Sequence, residues 1–115
     1  MKAPTEADVQ RACLEYLAAV RVPAWRANSG RFQRVGKDGR THVYSMAGAK
    51  GLSDIVGILP PSGRMLCVEV KSATGKLRPD QAAFLDNARR AGALAFVARS
   101  VADLEAALKA EGVVA

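Results

Sequence analysis

The sequence predicts an α/β fold in which a mixed β-sheet is flanked by α-helices. Amphipathic helical segments and short apolar, β-branched runs follow one another in the order α-β-(β-hairpin)-ββ-α-β-α. This order favours helices packed on the faces of a sheet. The length of 115 residues and the 50% hydrophobic content fit one domain with a real core, covering residues 1–115.

The composition narrows the classes of partner. Seventeen Lys and Arg against eleven Asp and Glu give a net charge of +6, which favours a polyanionic partner. No run approaches the roughly 20 apolar residues of a membrane helix, and the first ten residues lack the apolar segment of a signal peptide. Two cysteines, Cys13 and Cys67, are too few for a disulfide framework or a zinc site, so we expect small core residues in a reducing, cytoplasmic setting.

The first helix is predicted over residues 5–20. Thr5 is expected to cap it, with Asp8 completing an approximate capping box. Its inward stripe has helical spacing and consists of Val9, Cys13, Tyr16, Leu17 and Val20. Glu6 falls inside this stripe on a helical wheel, where a carboxylate needs a partner. The alternative for Glu6 is a first-turn acid that complements the helix dipole.

A basic segment follows the first helix. Residues 24–28 are predicted to form a short strand with Trp25 packed inward and Arg26 and Asn28 on the other face. Residues 32–35 and 41–45 are predicted to form a hairpin around a turn at residues 37–40. A basic ribbon of this kind could lie along a phosphate backbone, and a solvated loop is the alternative. The basic residues are Arg26, Arg31, Arg34, Lys37, Arg40 and Lys50.

A second hairpin is predicted from strands at residues 55–59 and 65–70, joined by the turn Pro-Pro-Ser-Gly. Pairing centred on this turn places Asp54 opposite Glu69, and the period-2 alternation puts Lys71 on the same side. Val68 and its alternate neighbours Leu66 and Val70 then point into the core. A register shift of one residue would place the two acids on opposite faces.

Two adjacent carboxylates repel each other unless a cation lies between them. Oxygen ligands of this type suit Mg²⁺. The alternative is a surface salt-bridge cluster without a metal.

The C-terminal part is predicted to contain two helices and a strand. The first of these helices starts near Pro79 and ends at Gly92, with an inward stripe of Gln81, Phe84, Leu85, Ala88 and Ala91. Residues 94–98 are predicted to form a central strand covered on both faces, and residues 101–111 a last helix capped by Ser100. Gln81 is expected at the same end of the fold as Glu6, with a hydrogen bond to a loop backbone as its alternative role.

Several of these residues together resemble the signature of the VRR-NUC (virus-type replication-repair nuclease) domain of the PD-(D/E)xK nuclease superfamily. The matching elements are Glu6, the Arg-x-Asn-x-Gly segment at residues 26–30, the Gly-x-Ser-Asp segment at residues 51–54, the Glu-x-Lys segment at residues 69–71, and Gln81. Their order and spacing match over residues 5–108. The resemblance implies a restriction-endonuclease-like fold.

The resemblance also implies a function and a set of site residues. Asp54, Glu69 and the Val70 carbonyl would hold Mg²⁺, or Mn²⁺ in its place, with Glu6 completing the site directly or through water. Lys71 would orient the attacking water or stabilise developing charge, and Gln81 would position Lys71 or a water. Arg26 and Asn28 would lie near the scissile phosphate of DNA.

Small members of this family look like homodimers, often from phage, that cut four-way (Holliday) junctions. We therefore expect a homodimeric, structure-specific endonuclease in a bacterial or phage-infected cell. The alternatives are a restriction-type endonuclease, a non-catalytic nucleic-acid-binding module, and an interaction protein with an incidental charge cluster.

Overall fold

The computed structural model describes residues 2–27, 31–45 and 51–115, with the side chains of 31–34 and 42–45 left out of the description. The elements, in chain order, are α1 Glu6–Ala19, β1 Ala24–Arg26, β2 Arg31–Val35, β3 Thr41–Ser45, β4 Ile55–Leu59, β5 Arg64–Val70, α2 Pro79–Arg90, β6 Leu94–Ala98 and α3 Val101–Ala110. This order confirms the predicted one. None of the helices in the described ranges is long and apolar enough to cross a membrane.

The main sheet has four strands in the order β1-β4-β5-β6, and β2 and β3 form a separate two-stranded ribbon. β4 is antiparallel to β1 and β5, whereas β6 is parallel to β5. The sheet is therefore mixed and flanked by helices, as predicted. The expected central position of β6 is wrong, because β4 already occupies the other side of β5 and leaves β6 at the edge. Its continuous apolar sequence is explained by α2 and α3, which both contact it.

The register of the β4–β5 hairpin confirms the predicted pairing. Ile55 pairs with Val68 and Leu59 with Arg64, so the turn lies at residues 60–63. One step beyond the Ile55–Val68 pair, Asp54 and Glu69 face each other. The predicted ribbon is also present, and its strands pair with Arg31 opposite Ser45 and Val35 opposite Thr41.

The two faces of the sheet carry two apolar clusters. On one face, Leu66, Val68 and Val70 pack with residues of α1 and α3, including Cys13 and Leu104. On the other face, a smaller cluster under α2 consists of Cys67, Leu85, Ala93 and Ala95. Both cysteines are buried as predicted, and burial raises the pKa of the Cys13 thiol to about 11.

The predicted helix ends are confirmed to within a residue or two. Thr5 and Asp8 form a reciprocal capping box at the start of α1. The Ser100 hydroxyl accepts the Asp103 backbone N–H at the start of α3. Pro79 is the first residue of α2, where its missing N–H costs no helical hydrogen bond.

Three predicted burials are wrong. Trp25 is 51% exposed, because α2 packs against β5 and β6 and leaves the β1 side of that sheet face uncovered. Glu6 is exposed, because burial along α1 begins only at Val9, after the first turn. Ala91 is exposed, because it is already the C-cap of α2.

Candidate active site

Asp54 lies at the open end of the β4–β5 hairpin, where hydrogen bonds from two segments hold it. Its backbone carbonyl accepts the Ala27 N–H at 2.9 Å, which ties it to the end of β1. Its side-chain Oδ2 accepts the Val70 N–H at 2.8 Å, which ties it to β5. The carboxylate is therefore positioned by main-chain groups of both neighbouring strands.

The segment before Asp54 is shaped by contact with α2. Gly51 has φ +77°, and a Cβ there would collide with the Asp80 carbonyl, so only glycine fits this approach. Ser53 is buried, and its hydroxyl donates to the Ile55 carbonyl at 3.2 Å. The Gly-x-Ser-Asp pattern is thus explained by backbone packing that positions Asp54 at the open end of the hairpin.

Glu69 is a carboxylate inside the protein, with 1% of its surface exposed. Its Oε1 accepts the side-chain N–H of Gln81 at 2.9 Å, and the Lys71 ammonium lies 3.9 Å from the same oxygen. Its Oε2 is buried and has no hydrogen-bond partner within the described part of the chain. Burial, with a further contribution from the neighbouring Asp54 carboxyl, raises the pKa of Glu69 to about 8.

These features fit a divalent cation. A buried carboxylate oxygen that lacks a donor is costly, and a cation between Glu69 and Asp54 would satisfy it and offset their repulsion. Carboxylate and carbonyl oxygens are the donors that Mg²⁺ and Mn²⁺ prefer. Among the side chains that the structure describes, no three His, Cys, Asp or Glu gather closely enough to form a metal cluster by themselves.

A cavity of about 430 Å³ opens beside Asp54, and Glu69 and Lys71 are not among its described lining residues; for the activity proposed below we call it the catalytic cavity. Its described lining is Glu6, Ala7, Gln10, Arg26, Asp54 and Val70. Helix α1, β1 and the hairpin thus bring four of the predicted site residues to one opening. Although Glu6 is exposed and not part of the helix's buried stripe, its carboxylate faces this opening.

Lys71 extends β5 beyond its last residue. Its backbone N–H donates to the Ala98 carbonyl at 3.1 Å, and the residue is 7% exposed. The following turn approaches it closely: a Cβ on Gly75 would lie 3.5 Å from Lys71 Cδ and 3.2 Å from Glu6 Oε1. The turn therefore forms a wall against both side chains.

Arg99 fixes this turn and was not singled out from the sequence. Its Nη1 donates to the backbone carbonyls of Ser72 at 2.6 Å and Gly75 at 2.7 Å. An arginine directly after a strand is ordinary, so no pattern in the sequence marks it. Only the parallel pairing of β6 with β5 brings it to the turn.

Gln81 lies in the first turn of α2 and makes two contacts. Its Oε1 accepts the Arg78 backbone N–H at 3.0 Å, and its Nε2 donates to Glu69. The bond to the loop backbone is the alternative role that the sequence left open, whereas the second contact is with Glu69 and not with Lys71. Its partner in the site is the carboxylate of Glu69.

The predicted nucleic-acid-binding residues are spread over different parts of the chain. Arg26 lines the catalytic cavity, whereas Lys37 and Arg40 are exposed near the tip of the β2–β3 ribbon. Arg31 and Arg34 lie on β2, and their side chains are outside the description. Asn28 and Lys50 lie outside the described residues.

Comparison with known proteins identifies the family. The VRR-NUC domain model matches residues 5–102. A solved structure described as a VRR-NUC domain is 24% identical, covers 92% of this chain and 97% of its own, and superposes with a TM-score of 0.61, which supports the same fold. No curated protein matches the chain. The chain belongs to the VRR-NUC domain family of PD-(D/E)xK-type nucleases.

Proposed function

We propose that this protein is a Mg²⁺-dependent DNA endonuclease that hydrolyses phosphodiester bonds, with Mn²⁺ as a possible substitute. The observation that carries the proposal is the buried Oε2 of Glu69, to which none of the described residues donates a hydrogen bond and which lies beside the Asp54 carboxyl. Nucleases of this family generally use divalent metals. A purely structural salt bridge would not leave a buried acid so poorly compensated.

In this proposal Asp54 and Glu69 hold the metal, the Val70 carbonyl adds an oxygen, and Glu6 takes part directly or through water. A bound divalent ion supplies Lewis-acid polarisation of the phosphoryl group and lowers the pKa of a water. The protein's own contribution is to present fixed donors. The Val70 N–H orients Asp54, and Gln81 occupies Oε1 of Glu69 so that Oε2 remains available.

Two cationic side chains serve the phosphate. Lys71, almost buried next to Glu69, would orient the attacking water or stabilise charge that develops in the transition state. Arg26, in the wall of the catalytic cavity, would contact the scissile phosphate, together with Asn28. The further basic residues predicted from the sequence would provide backbone contacts along the DNA, namely Arg31, Arg34, Lys37, Arg40 and Lys50.

The proposed assembly is a homodimer that acts on branched DNA such as four-way junctions. Cutting two strands symmetrically requires two active sites related by a two-fold axis, and one domain over residues 1–115 carries only one. We place this activity in the cytoplasm of a bacterium or a phage-infected cell. Light scattering at micromolar concentration should give twice the chain mass; a monomer there would refute the dimer.

The test of the activity uses four-way, flapped and linear duplex DNA, each with Mg²⁺ or with EDTA. The expected result is Mg²⁺-dependent nicking of the four-way junction. Cleavage at one sequence in linear DNA would instead indicate a restriction-type enzyme, and a mobility shift without cleavage a binding module.

Site variants complete the test. Asp54→Ala and Lys71→Ala should abolish cleavage while leaving the fold nearly intact by circular dichroism. Asp86→Ala and Lys109→Ala remove the same charges from exposed positions on α2 and α3 and should cleave normally. Undiminished cleavage by both site variants would reject the assignment.

A further inference from the structure

A second cavity, which we call the α1 groove, continues from the catalytic cavity along the first helix. Its volume is about 510 Å³, and it shares Ala7, Gln10 and Arg26 with the catalytic cavity. A ligand that occupies the catalytic cavity can therefore extend into the α1 groove without crossing a barrier of other residues.

The α1 groove runs beside the buried stripe of the helix, and Leu14 contacts both the groove and the core. The buried stripe of α1 is Val9, Cys13 and Leu17. The groove follows a different row of the helix, from Ala7 through Leu14 to Ala18. At 1.5 Å per residue this row is about 16 Å long, and cavities of this size accept small-molecule-sized ligands.

The lining combines an apolar floor with polar groups that match a nucleotide. Ala7, Leu14 and Ala18 offer an apolar surface to the face of a base. Glu15 and Gln10 bring acceptors and a donor that can pair with base edges.

The cations of the groove fit its proposed ligand as well. Arg26 lines both cavities. A phosphate bound to Arg26 would therefore lie between a base in the α1 groove and the next phosphate, beside Asp54. Arg11, which also lines the groove, adds a second guanidinium, and its Nη2 is paired with Asp8 at 3.1 Å.

We propose that the α1 groove binds an unpaired nucleotide adjacent to the scissile phosphate, with its base on the Leu14 floor. Only the position of the cleaved bond rests on the proposed function. The binding of the nucleotide in the α1 groove does not depend on it. A paired base has its edge and faces covered by other bases, so only an unpaired one can enter a groove of this kind. The substrate class is thus branched DNA in which a nucleotide beside the cut is unpaired when bound; in a four-way junction this requires a base pair at the branch point to open.

The test measures binding by fluorescence anisotropy in EDTA, so that cleavage plays no part. Three probes of equal length are compared: a duplex with a single-stranded flap, the same flap with abasic nucleotides next to the branch, and a fully paired duplex. Wild-type protein should bind the abasic flap about tenfold more weakly than the intact flap, since burying roughly 55 Å² of one base against apolar side chains contributes about 1.4 kcal/mol. Equal binding of the two flaps would overturn the proposal.

Two variants test whether the base preference arises in the α1 groove. Arg11→Glu should weaken binding of the intact flap by about tenfold relative to the matched charge reversal Arg90→Glu, which lies at an exposed position on α2. Ala18→Trp fills the groove from an exposed position and should remove the difference between intact and abasic flaps. Equal affinities for the two charge reversals, or a base preference retained in Ala18→Trp, would contradict the location.

Cleavage of the same probes with Mg²⁺ separates this inference from the proposed function. Base-dependent binding without cleavage by the wild type would remove the nuclease proposal and leave the groove. Cleavage without any effect of the abasic nucleotides would leave the nuclease and remove the groove.

Discussion

Replacing Glu69 by Gln should stabilise the metal-free protein. In the folded chain, burial and the adjacent Asp54 raise the pKa of Glu69 from 4.5 to about 8, whereas in the unfolded chain the carboxyl ionises near 4.5. The stability that Glu69 contributes is therefore fully present below pH 4.5 and is lost as the pH rises towards 8. Each pH unit in this window costs about 1.4 kcal/mol, on the order of 3 kcal/mol by pH 7.

Glu69→Gln removes this cost with little change in shape. The amide oxygen can still accept from Gln81, and the new amide N–H₂ can donate to Asp54. Loss of the Lys71 ion pair offsets part of the gain. We expect a net stabilisation of about 1–3 kcal/mol at pH 7, together with the loss of cleavage.

The assay is urea unfolding in EDTA at pH 5, 6, 7 and 8, followed by circular dichroism. The free energy of unfolding of Glu69→Gln relative to wild type should increase with pH across this range. Glu15→Gln, an exposed acid on α1, is the control for the change in charge. A difference for Glu69→Gln that stays constant or shrinks as the pH rises would refute the reasoning.

The effect of a metal ion on the stability of wild-type protein and of Glu69→Gln is a second test of the site. A ligand that binds only the folded state raises its stability in proportion to the logarithm of its concentration. Mn²⁺ should therefore stabilise wild-type protein and Glu15→Gln, and it should have little effect on Glu69→Gln. Equal stabilisation of all three would place the metal elsewhere.

Three further predictions concern the surroundings of the site. Gly75→Val should lower the cleavage rate at least about tenfold in a gel assay while the fold is kept, because its side chain would displace Glu6 and Lys71; an unchanged rate would show that the turn does not constrain them. Arg99→Ala should release the same turn and reduce cleavage by a similar factor, with partial recovery in Arg99→Lys, since Lys can still reach one carbonyl; equal rates in both variants and wild type would refute this role. Cys13 should resist alkylation in the native protein and react in urea, as measured by mass spectrometry. The reason is that burial raises its thiol pKa to about 11 and excludes the reagent. Rapid alkylation of the native protein would contradict the buried position.

The register of the two acids could be predicted because local chemistry determines it. The turn at residues 60–63 cannot continue a strand, and centring the hairpin there is enough to place Asp54 opposite Glu69. The helix starts were predictable for the same reason, since Thr5 and Ser100 cap their helices through contacts within four residues.

The burial of Trp25 and the position of β6 could not be predicted in this way. Both depend on which helix covers which part of the sheet, and that is decided by packing between distant segments. Glu6 shows a related limit, because a helical wheel gives the direction of a side chain but not the point at which the helix leaves the core. Arg99 acts through carbonyls that are 24 to 27 residues away in the chain, so no local pattern contains it.

The two hydrogen bonds of Gln81 connect the start of α2 to the Glu69 carboxylate. The same side chain accepts from the main chain at Arg78 and donates to Glu69, so it must carry an acceptor and a donor on one short stem. Glutamate at this position would oppose the charge of Glu69, and leucine would leave both partners without a bond. A displacement of the loop that leads into α2 would therefore be transmitted to Glu69, and contact of a substrate with Arg78 would change the orientation of this carboxylate, which we propose as a metal ligand.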